Sequence, residues 1–347
     1  MTSNVLDPKE WFAAVQVAVD HQLKRLFDAK AAAAAAVDPE LAPLVGAVRD
    51  LTLRGGKRLR PALLAAGFRA VTADPQLDAI IDAAVAAELL QTFLLIHDDW
   101  MDQDQTRRGG KSVHVMLAEH YHDAHLGASA AVLAGDLASA YAWEALTSSP
   151  FPAERVRLAV RAFWEMEEQV AFGQFLDVIG SRSAHTVSML KTASYSVRGP
   201  LRIGATLGGA TESQLDALDR YANAIGVAFQ LRDDLIGAFG DPRQSGKPVG
   251  NDLRAGKKTS LMMDAWDHVG EDQRQLLTRI MNKANVSEHD VSAATRLMDE
   301  CGSRMRIEAR AQNSVEEAMA ALEDSPLDRD GVELLRVLAR RIAVRSS

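Results

Sequence analysis

The order of hydrophobic and polar residues looks helical along nearly the whole chain. Alanine and leucine are abundant, aromatic residues make up only 5%, and no alternating runs typical of strands stand out. Asp38 and Pro39 are typical of a helix cap and first position, so a helix is predicted to begin there. Further helices are predicted at about 8–29, 127–147, 152–180, 185–209, 212–238, 257–284, 287–323 and 330–344. The predicted fold class is all-α.

The segment LDAIIDAAVAAELLQTFLLIHDD, residues 77–99, differs from the others because it is apolar on nearly every side. Such a helix must pack against other segments on every face, which predicts a central, buried position. Glu88 and Gln91 interrupt it, so no run reaches the ~18 apolar residues of a membrane span. No polar linker, composition shift or fixed repeat divides the chain, and a single domain over residues 1–347 is expected.

An acidic cluster ends this helix, in the stretch LLIHDDWMDQDQTRRGG, residues 94–110. Carboxylates at a helix C-terminus are mildly unfavourable, so a positive partner is expected. Asp98 and Asp102 are four residues apart and share a helix face, with Asp99 alongside. Two carboxylates at this spacing suit Mg²⁺, a hard ion that keeps waters and substrate phosphates. The alternative is a solvated helix end.

A second acidic cluster favours a metal site over a solvated helix end. The stretch FQLRDDLIGAFGD, residues 229–241, again places Asp233 and Asp234 near the end of an apolar helical segment, with Asp241 in the following turn. Two carboxylate pairs on two helices could face each other across one cavity and hold a small cluster of divalent ions.

Three basic stretches could supply the other walls of such a site: RGGKRLRP, TRRGG and SGKPVGNDLRAGKKTS. Arginine binds phosphate in a bidentate manner and lysine adds a compact charge. Each stretch alone is more often a solvated loop. The third resembles a nucleotide-binding P-loop, but its glycine spacing is wrong and no strand precedes it, which excludes that reading. The basic residues are Lys57, Arg58, Arg60, Arg107, Arg108, Lys247, Lys257 and Lys258.

Net charge and cysteine content restrict the expected binding partners and the expected cellular compartment. A net charge of -8 argues against a general nucleic-acid binder. The single cysteine, Cys301, excludes an internal disulfide and fits a reducing compartment. The first residues lack the basic-then-apolar order of a signal peptide. A cytoplasmic protein is expected.

Taken together and in this order, the motifs GGKRLRP, ELLQTFLLIHDDWMDQDQTRRG, KTA, FQLRDDLIGAFGD and GKPVGNDLRAGKKT, between about residues 50 and 262, resemble the trans-type isoprenyl (polyprenyl) diphosphate synthases. These are head-to-tail prenyltransferases. The resemblance implies a helical bundle of the isoprenoid synthase type with a central active-site cavity, a homodimer, and up to three Mg²⁺ ions per site. It implies isopentenyl diphosphate and allylic diphosphates (dimethylallyl, geranyl, farnesyl) as substrates.

The resemblance also assigns roles to individual residues. Metal ligands are Asp98, Asp102 and Asp233, supported by Asp99 and Asp234, while the third aspartate of the second motif is replaced by Gly237. The allylic diphosphate is bound by Arg107, Lys191, Lys247 and Lys257. Isopentenyl diphosphate is bound by Lys57, Arg60, Gln91 and Arg108. The carbocation is faced by Thr192, Gln230 and the backbone near Lys191.

Product length is expected to depend on Phe93 and Leu94, the positions five and four before the first aspartate. Aromatic rings at both favour fifteen carbons in the family, whereas here only Phe93 is aromatic. Geranylgeranyl diphosphate is therefore expected, with farnesyl diphosphate as the alternative. A class I terpene cyclase would need an Asn-Ser-Glu metal motif, which is not found near 229–241. A non-catalytic partner subunit would typically have lost aspartates, and both pairs are intact.

Overall fold

The computed structural model describes residues 7–73, 77–181, 183, 186–187, 189–240, 250–254, 256–282 and 286–343. Almost all of these residues are helical, and the only sheet among them is a short hairpin of β1 (Thr106–Arg107) and β2 (Gly110–Lys111). The all-α prediction is confirmed. The chain forms two compact units: the first comprises Met1–Phe163, Pro200–Leu215 and Leu327–Leu334, and the second Trp164–Gly199, Asp216–Pro326 and Leu335–Ser347.

The helices of the first unit are α1 (Pro8–Val37), α2 (Ala42–Leu53), α3 (Leu59–Arg69), α4 (Leu77–Met101), α5 (Val113–Tyr121), α6 (Ala124–Thr147), the start of α7 (Ala153–Val178) and α8 (Gly199–Gly208). α1 begins where Asp7 accepts a hydrogen bond from the Lys9 amide at 2.8 Å. It runs through the alanines to Val37, past its predicted end, because alanine is the best helix former.

α4 is the core helix of the first unit. Ile80, Ala84 and Leu89 are buried, and the helix packs most extensively against α6, then against α3 and α1. A Cβ on Gly135 of α6 would lie 2.2 Å from His97 Nε2, so glycine permits this close approach. By length and composition α4 could cross a membrane, but 72% of its most apolar window is buried, which is the pattern of a core helix.

The second unit contains the rest of α7, a π-helix (Met189–Arg198), most of α9 (Glu212–Phe239), then α10 (Asn251–Arg254), α11 (Ser260–His268), α12 (Glu271–Met281), α13 (Glu288–Glu300), α14 (Ser303–Ala321) and most of α15 (Arg329–Ala343). Its core includes Leu235, Leu261, Met298 and Ile307, all fully or nearly fully buried.

Three helices predicted as continuous are interrupted. The segment 287–323 breaks at Gly302, whose φ of 78° lies in the left-handed region that ends helices. The segment 257–284 breaks at Gly270, which precedes α12 with extended backbone. The segment 185–209 contains the π-helix, which leads directly into α8. These predictions were wrong at the breaks, and the helices on either side were correctly placed.

Candidate active site

The first acidic motif closes α4 and is held by an arginine. Asp99 is fully buried and its Oδ1 accepts hydrogen bonds from Arg107 Nε at 2.6 Å and from Arg107 Nη2. The same Nη2 donates to Asp104 Oδ2 at 3.0 Å and lies 3.7 Å from Asp98 Oδ2. Arg107 is therefore the positive partner that the acidic helix end requires. Asp98 remains partly exposed and Asp102 is exposed.

Burial dominates the electrostatics of this motif. It raises the pKa of Asp99 to about 6, against the lowering effect of the Arg107 hydrogen bond. The neighbouring charges of Asp98 and Asp104 raise it further. Its second oxygen, Oδ2, is buried and has no hydrogen-bond partner in the part of the chain that the structure describes. The buried carboxylate fixes the geometry of the helix end, while its neighbours face outward.

The second acidic motif, on α9, repeats this arrangement in the second unit. Asp234 is buried and accepts hydrogen bonds from Gln230 Nε2 at 2.7 Å and from the Ser260 amide at 2.8 Å. Burial raises the pKa of Asp234 to about 7, while the Gln230 hydrogen bond lowers it. Asp233 is exposed. At Gly237, one turn on, a Cβ would lie 2.3 Å from Asp252 Oδ2.

Lys191 lies in the π-helix, a rare form that often marks functional sites. Its Nζ donates to Asp177 Oδ2 of α7 at 2.6 Å. A Cβ on Gly173 would lie 2.4 Å from the Lys191 amide nitrogen, so the two backbones touch there. Lys257 is half-buried before α11. Lys247 and the side chain of Thr192 lie outside the described residues.

The residues predicted to bind isopentenyl diphosphate all belong to the first unit. Lys57 is exposed, Arg60 is half-buried and Gln91 is buried. Among the described residues, Gln91 Oε1 has no hydrogen-bond partner. Arg108 Nη2 donates to Glu88 Oε1 at 3.1 Å, and the charges of Arg58 and Arg60 act on Arg108. The structure thus associates the RGGKR and TRRGG stretches, which are far apart in sequence.

Phe93 and Leu94 are half-buried on α4. The Phe93 ring meets the His97 ring edge to face, with centroids 4.8 Å apart and an interplanar angle of 71°. The His97 Nε2 atom lies 3.0 Å from the Val132 carbonyl oxygen of α6, which fixes the imidazole. The fixed His97 ring therefore packs against one side of the Phe93 ring.

The sequence profile of the polyprenyl synthetase family matches residues 42–298. This chain belongs to the polyprenyl synthetase family. It is 34% identical over 313 residues to a geranylfarnesyl diphosphate synthase of Aeropyrum pernix, covering 87% of this chain and 94% of that protein. It is 34% identical over 286 residues to a geranylgeranyl diphosphate synthase of Methanosarcina mazei, covering 81% and 83%.

Solved structures agree with the sequence relatives. A geranylgeranyl pyrophosphate synthase from Corynebacterium glutamicum, complexed with isoprenyl diphosphate and magnesium, superposes with a TM-score of 0.89 at 33% identity, covering 98% of this chain and 100% of that one. The predicted membership and the isoprenoid synthase fold of this polyprenyl synthetase are confirmed. The individual residue roles, the single domain and the shared cavity remain predictions.

The carboxylates of this polyprenyl synthetase fit Mg²⁺ by their chemistry. Among the described residues, no three acidic, histidine or cysteine side chains form a preformed cage for a metal ion. Mg²⁺ needs none, because it is usually held by one or two carboxylates with waters and substrate phosphates. Asp98, Asp102 and Asp233 offer only hard oxygen donors, and none is fully buried.

Sequence reasoning missed two residues of the site. In the sequence, Glu88 stands out only as an interruption of an apolar helix. In the structure, it forms ion pairs with Arg58 and Arg108. Arg54 Nη1 donates to the carbonyls of Arg107 at 3.1 Å and Lys111 at 2.6 Å, tying α2 to the hairpin. One feature of the sequence could have indicated Glu88, because it is a lone acidic residue in an apolar run. No feature of the sequence indicates the role of Arg54.

Proposed function

We propose that this polyprenyl synthetase is a Mg²⁺-dependent, head-to-tail prenyltransferase that condenses isopentenyl diphosphate with allylic diphosphates to geranylgeranyl diphosphate. One observation carries the proposal. Each acidic motif buries one aspartate in hydrogen bonds and leaves a neighbouring aspartate accessible. This arrangement supports rigid presentation of carboxylates to a metal–diphosphate complex.

Asp98, Asp102 and Asp233 would hold the metal ions, with Asp99 and Asp234 orienting the helix ends. Mg²⁺ held there would neutralise the charge of the diphosphate and make it a better leaving group. Arg107 and Lys191 each contact a carboxylate already, through Asp99 and Asp177. We expect both to donate further hydrogen bonds to the allylic diphosphate, together with Lys247 and Lys257.

Loss of the diphosphate from the allylic substrate leaves a carbocation, which oxygen dipoles stabilise. Gln230 supports this role because its buried Oε1 accepts no hydrogen bond from the described residues, while its Nε2 donates to Asp234 Oδ1. The backbone at Lys191 and the Thr192 hydroxyl would act with it. The double bond of isopentenyl diphosphate then attacks the cation, and a proton leaves to the departing diphosphate.

We propose Phe93 as the residue that ends chain growth, because His97 braces its ring. Leu94 is smaller and more flexible, which favours twenty carbons over fifteen. Farnesyl diphosphate is the alternative product, since a (2E,6E)-farnesyl diphosphate synthase of Mycobacterium tuberculosis is also 32% identical over 297 residues.

A homodimer is proposed from an exposed apolar stripe on α7. Trp164, Phe172, Phe175 and Val178 are each more than half exposed. Their spacing places them on one face of the helix. Adjacent exposed aromatic residues in such a stripe mark an interaction surface, and the partner proposed is a second copy of this chain.

A cytoplasmic location and small-molecule substrates are also proposed. The net charge of -8 disfavours nucleic acid as a partner. The single cysteine suits a reducing compartment.

The decisive experiment incubates the purified chain with Mg²⁺, isopentenyl diphosphate and dimethylallyl, geranyl or farnesyl diphosphate. The expected product is geranylgeranyl diphosphate, lost with a chelator and restored by Mg²⁺. Conversion of an allylic diphosphate to hydrocarbon without isopentenyl diphosphate would instead identify a terpene cyclase. Turnover only after addition of a second subunit would identify a non-catalytic partner.

A further inference from the structure

Glu88 is a buried carboxylate that no proposed catalytic step uses. It lies on α4, is only 3% exposed, and its Oε1 accepts hydrogen bonds from Arg58 Nη1 and, at 3.1 Å, from Arg108 Nη2. A buried carboxylate is strongly unfavourable unless it is paired and hydrogen-bonded. The position of Glu88 therefore depends on both guanidinium groups.

The two arginines come from two different loops. Arg58 follows the Gly55–Gly56 pair, and Arg108 forms the turn of the hairpin. Both have left-handed backbone, with φ of 44° and 51°, which is uncommon outside glycine. A Cβ on Gly56 would lie 3.5 Å from the Arg108 guanidinium carbon. Glu88 thus connects the two loops at the residues whose backbone lies in the left-handed region.

Arg58 and Arg108 differ in how strongly they are held. Arg58 also donates to Asp20 Oδ1 at 2.8 Å and to the Thr52 carbonyl at 3.0 Å, so all its nitrogens are engaged. Within the described residues, the other hydrogen bond of Arg108 is longer than the one to Glu88 and joins Nη1 to the Leu51 carbonyl at 3.4 Å. Glu88 is consequently the main anchor of the Arg108 guanidinium.

The charges of neighbouring side chains act on the Arg108 guanidinium. Burial lowers the pKa of Arg108, Glu88 opposes that effect, and the charges of Arg58 and Arg60 reinforce it. Glu88 therefore places its negative charge between the guanidinium groups of Arg58 and Arg108. A diphosphate bound by Arg108 would add a second anionic partner for that guanidinium.

We propose that Glu88 is a positioning residue for isopentenyl diphosphate. Its carboxylate orients Arg108 and holds the two basic loops together, without touching the substrate itself. This inference rests on the proposed function, because it assigns Arg108 to the isopentenyl diphosphate site. Loss of the carboxylate leaves Arg58 and Arg108 to repel each other, so Arg108 turns away from the substrate.

The test varies the two substrates independently in Glu88→Gln. We expect the KM for isopentenyl diphosphate to rise about tenfold and that for the allylic diphosphate to change less than about twofold, as for loss of one charge-assisted hydrogen bond. Glu88→Asp keeps the charge and should recover most of the affinity. The matched control is Asp328→Asn, which removes an ion pair of Arg69 in the same unit. It should lower the melting temperature without changing the ratio of the two KM values.

Equal increases in both KM values, or a lower melting temperature with unchanged KM values, would overturn the role of Glu88. If Glu88→Gln is recovered unfolded, the same ratio measured on Glu88→Asp decides the question, and a selective rise of about two- to threefold is expected there. Failure of the unsubstituted protein to consume isopentenyl diphosphate would refute the proposed function instead, so the two failures are distinguishable.

Discussion

At the scale of single residues, both acidic motifs divide their aspartates in the same way. Asp99 is fixed by Arg107, and Asp234 by Gln230 and the Ser260 amide. A buried, hydrogen-bonded carboxylate cannot turn, so the accessible aspartate beside it keeps a defined direction. Under the proposed mechanism, metal affinity would depend on the accessible aspartate and the geometry of the site on the buried one.

Asp98→Ala and Asp233→Ala should each lower turnover at least about a hundredfold, because each removes a carboxylate that we propose as a ligand of the metal ions. Helical content, measured by circular dichroism, should not change. Asp216→Ala, at an exposed position on α9, is the matched control and should keep normal turnover. Near-normal activity of Asp98→Ala would refute the metal mechanism.

The buried Asp234 predicts a pH dependence of stability. Its pKa is raised to about 7, whereas that of an unfolded aspartate is about 3.9. Between these values the folded protein keeps the proton and the unfolded chain releases it, so this group's stabilising contribution is lost as pH rises.

The free energy of unfolding of Asp234→Asn, relative to the unsubstituted protein, should therefore increase by about 1–3 kcal/mol from pH 5 to pH 8. Urea denaturation in a chelator measures this without metal. Exposed Asp216→Asn should show no such trend. A flat difference for Asp234→Asn would mean that the carboxylate is ionised in the folded protein throughout.

At the scale of elements, α4 carries the first acidic motif at its end and, just before it, Phe93 and Leu94, which we propose limit product length. Phe93→Ala removes the ring that His97 braces and should lengthen the product by at least one isoprene unit, whereas Leu94→Phe should shorten it. Chromatography of dephosphorylated products measures both. Phe151→Ala, which removes another half-buried ring of the first unit, should leave product length unchanged. Unchanged products from Phe93→Ala would place the end of the tunnel elsewhere.

The π-helix depends on its close approach to α7. In Gly173→Ala the new Cβ would lie 2.4 Å from the Lys191 amide nitrogen, so the backbones must separate and Lys191 must shift. The KM for the allylic diphosphate should rise about tenfold, more than that for isopentenyl diphosphate. In Gly46→Ala, within α2, the new Cβ meets nothing within 4 Å. That control should stabilise the protein by up to about 1 kcal/mol, and equal kinetics in the two variants would contradict the argument.

These elements show where sequence reasoning succeeds. Composition and motif order were enough to predict most of the helices and the positions of both acidic motifs, because these features depend on residues close together in sequence. The pairing of Glu88 with Arg58 and of Arg54 with the Lys111 carbonyl depends on contacts between segments that are far apart in sequence. No spacing rule along one chain indicates such contacts, so they could not be predicted.

At the scale of the whole molecule, the stripe on α7 predicts the oligomeric state. Light scattering at micromolar concentration should give the mass of a dimer. Phe172→Glu combined with Phe175→Glu should give a monomer, because two charges cannot be buried in an apolar interface. Met305→Glu, at another exposed apolar position, should remain dimeric. A monomeric mass for the unsubstituted protein would refute the homodimer.

The apolar character of α4 also has a consequence for biosynthesis. During translation this segment leaves the ribosome with the length and hydropathy of a membrane span. Folding that proceeds from the N-terminal side can shield it only with segments already made. α1, α2 and α3 precede α4 in the chain and all pack against it, whereas its principal partner α6 follows later. We therefore expect α1, α2 and α3 to provide the first cover that protects α4 from aggregation or from misdirection to a membrane.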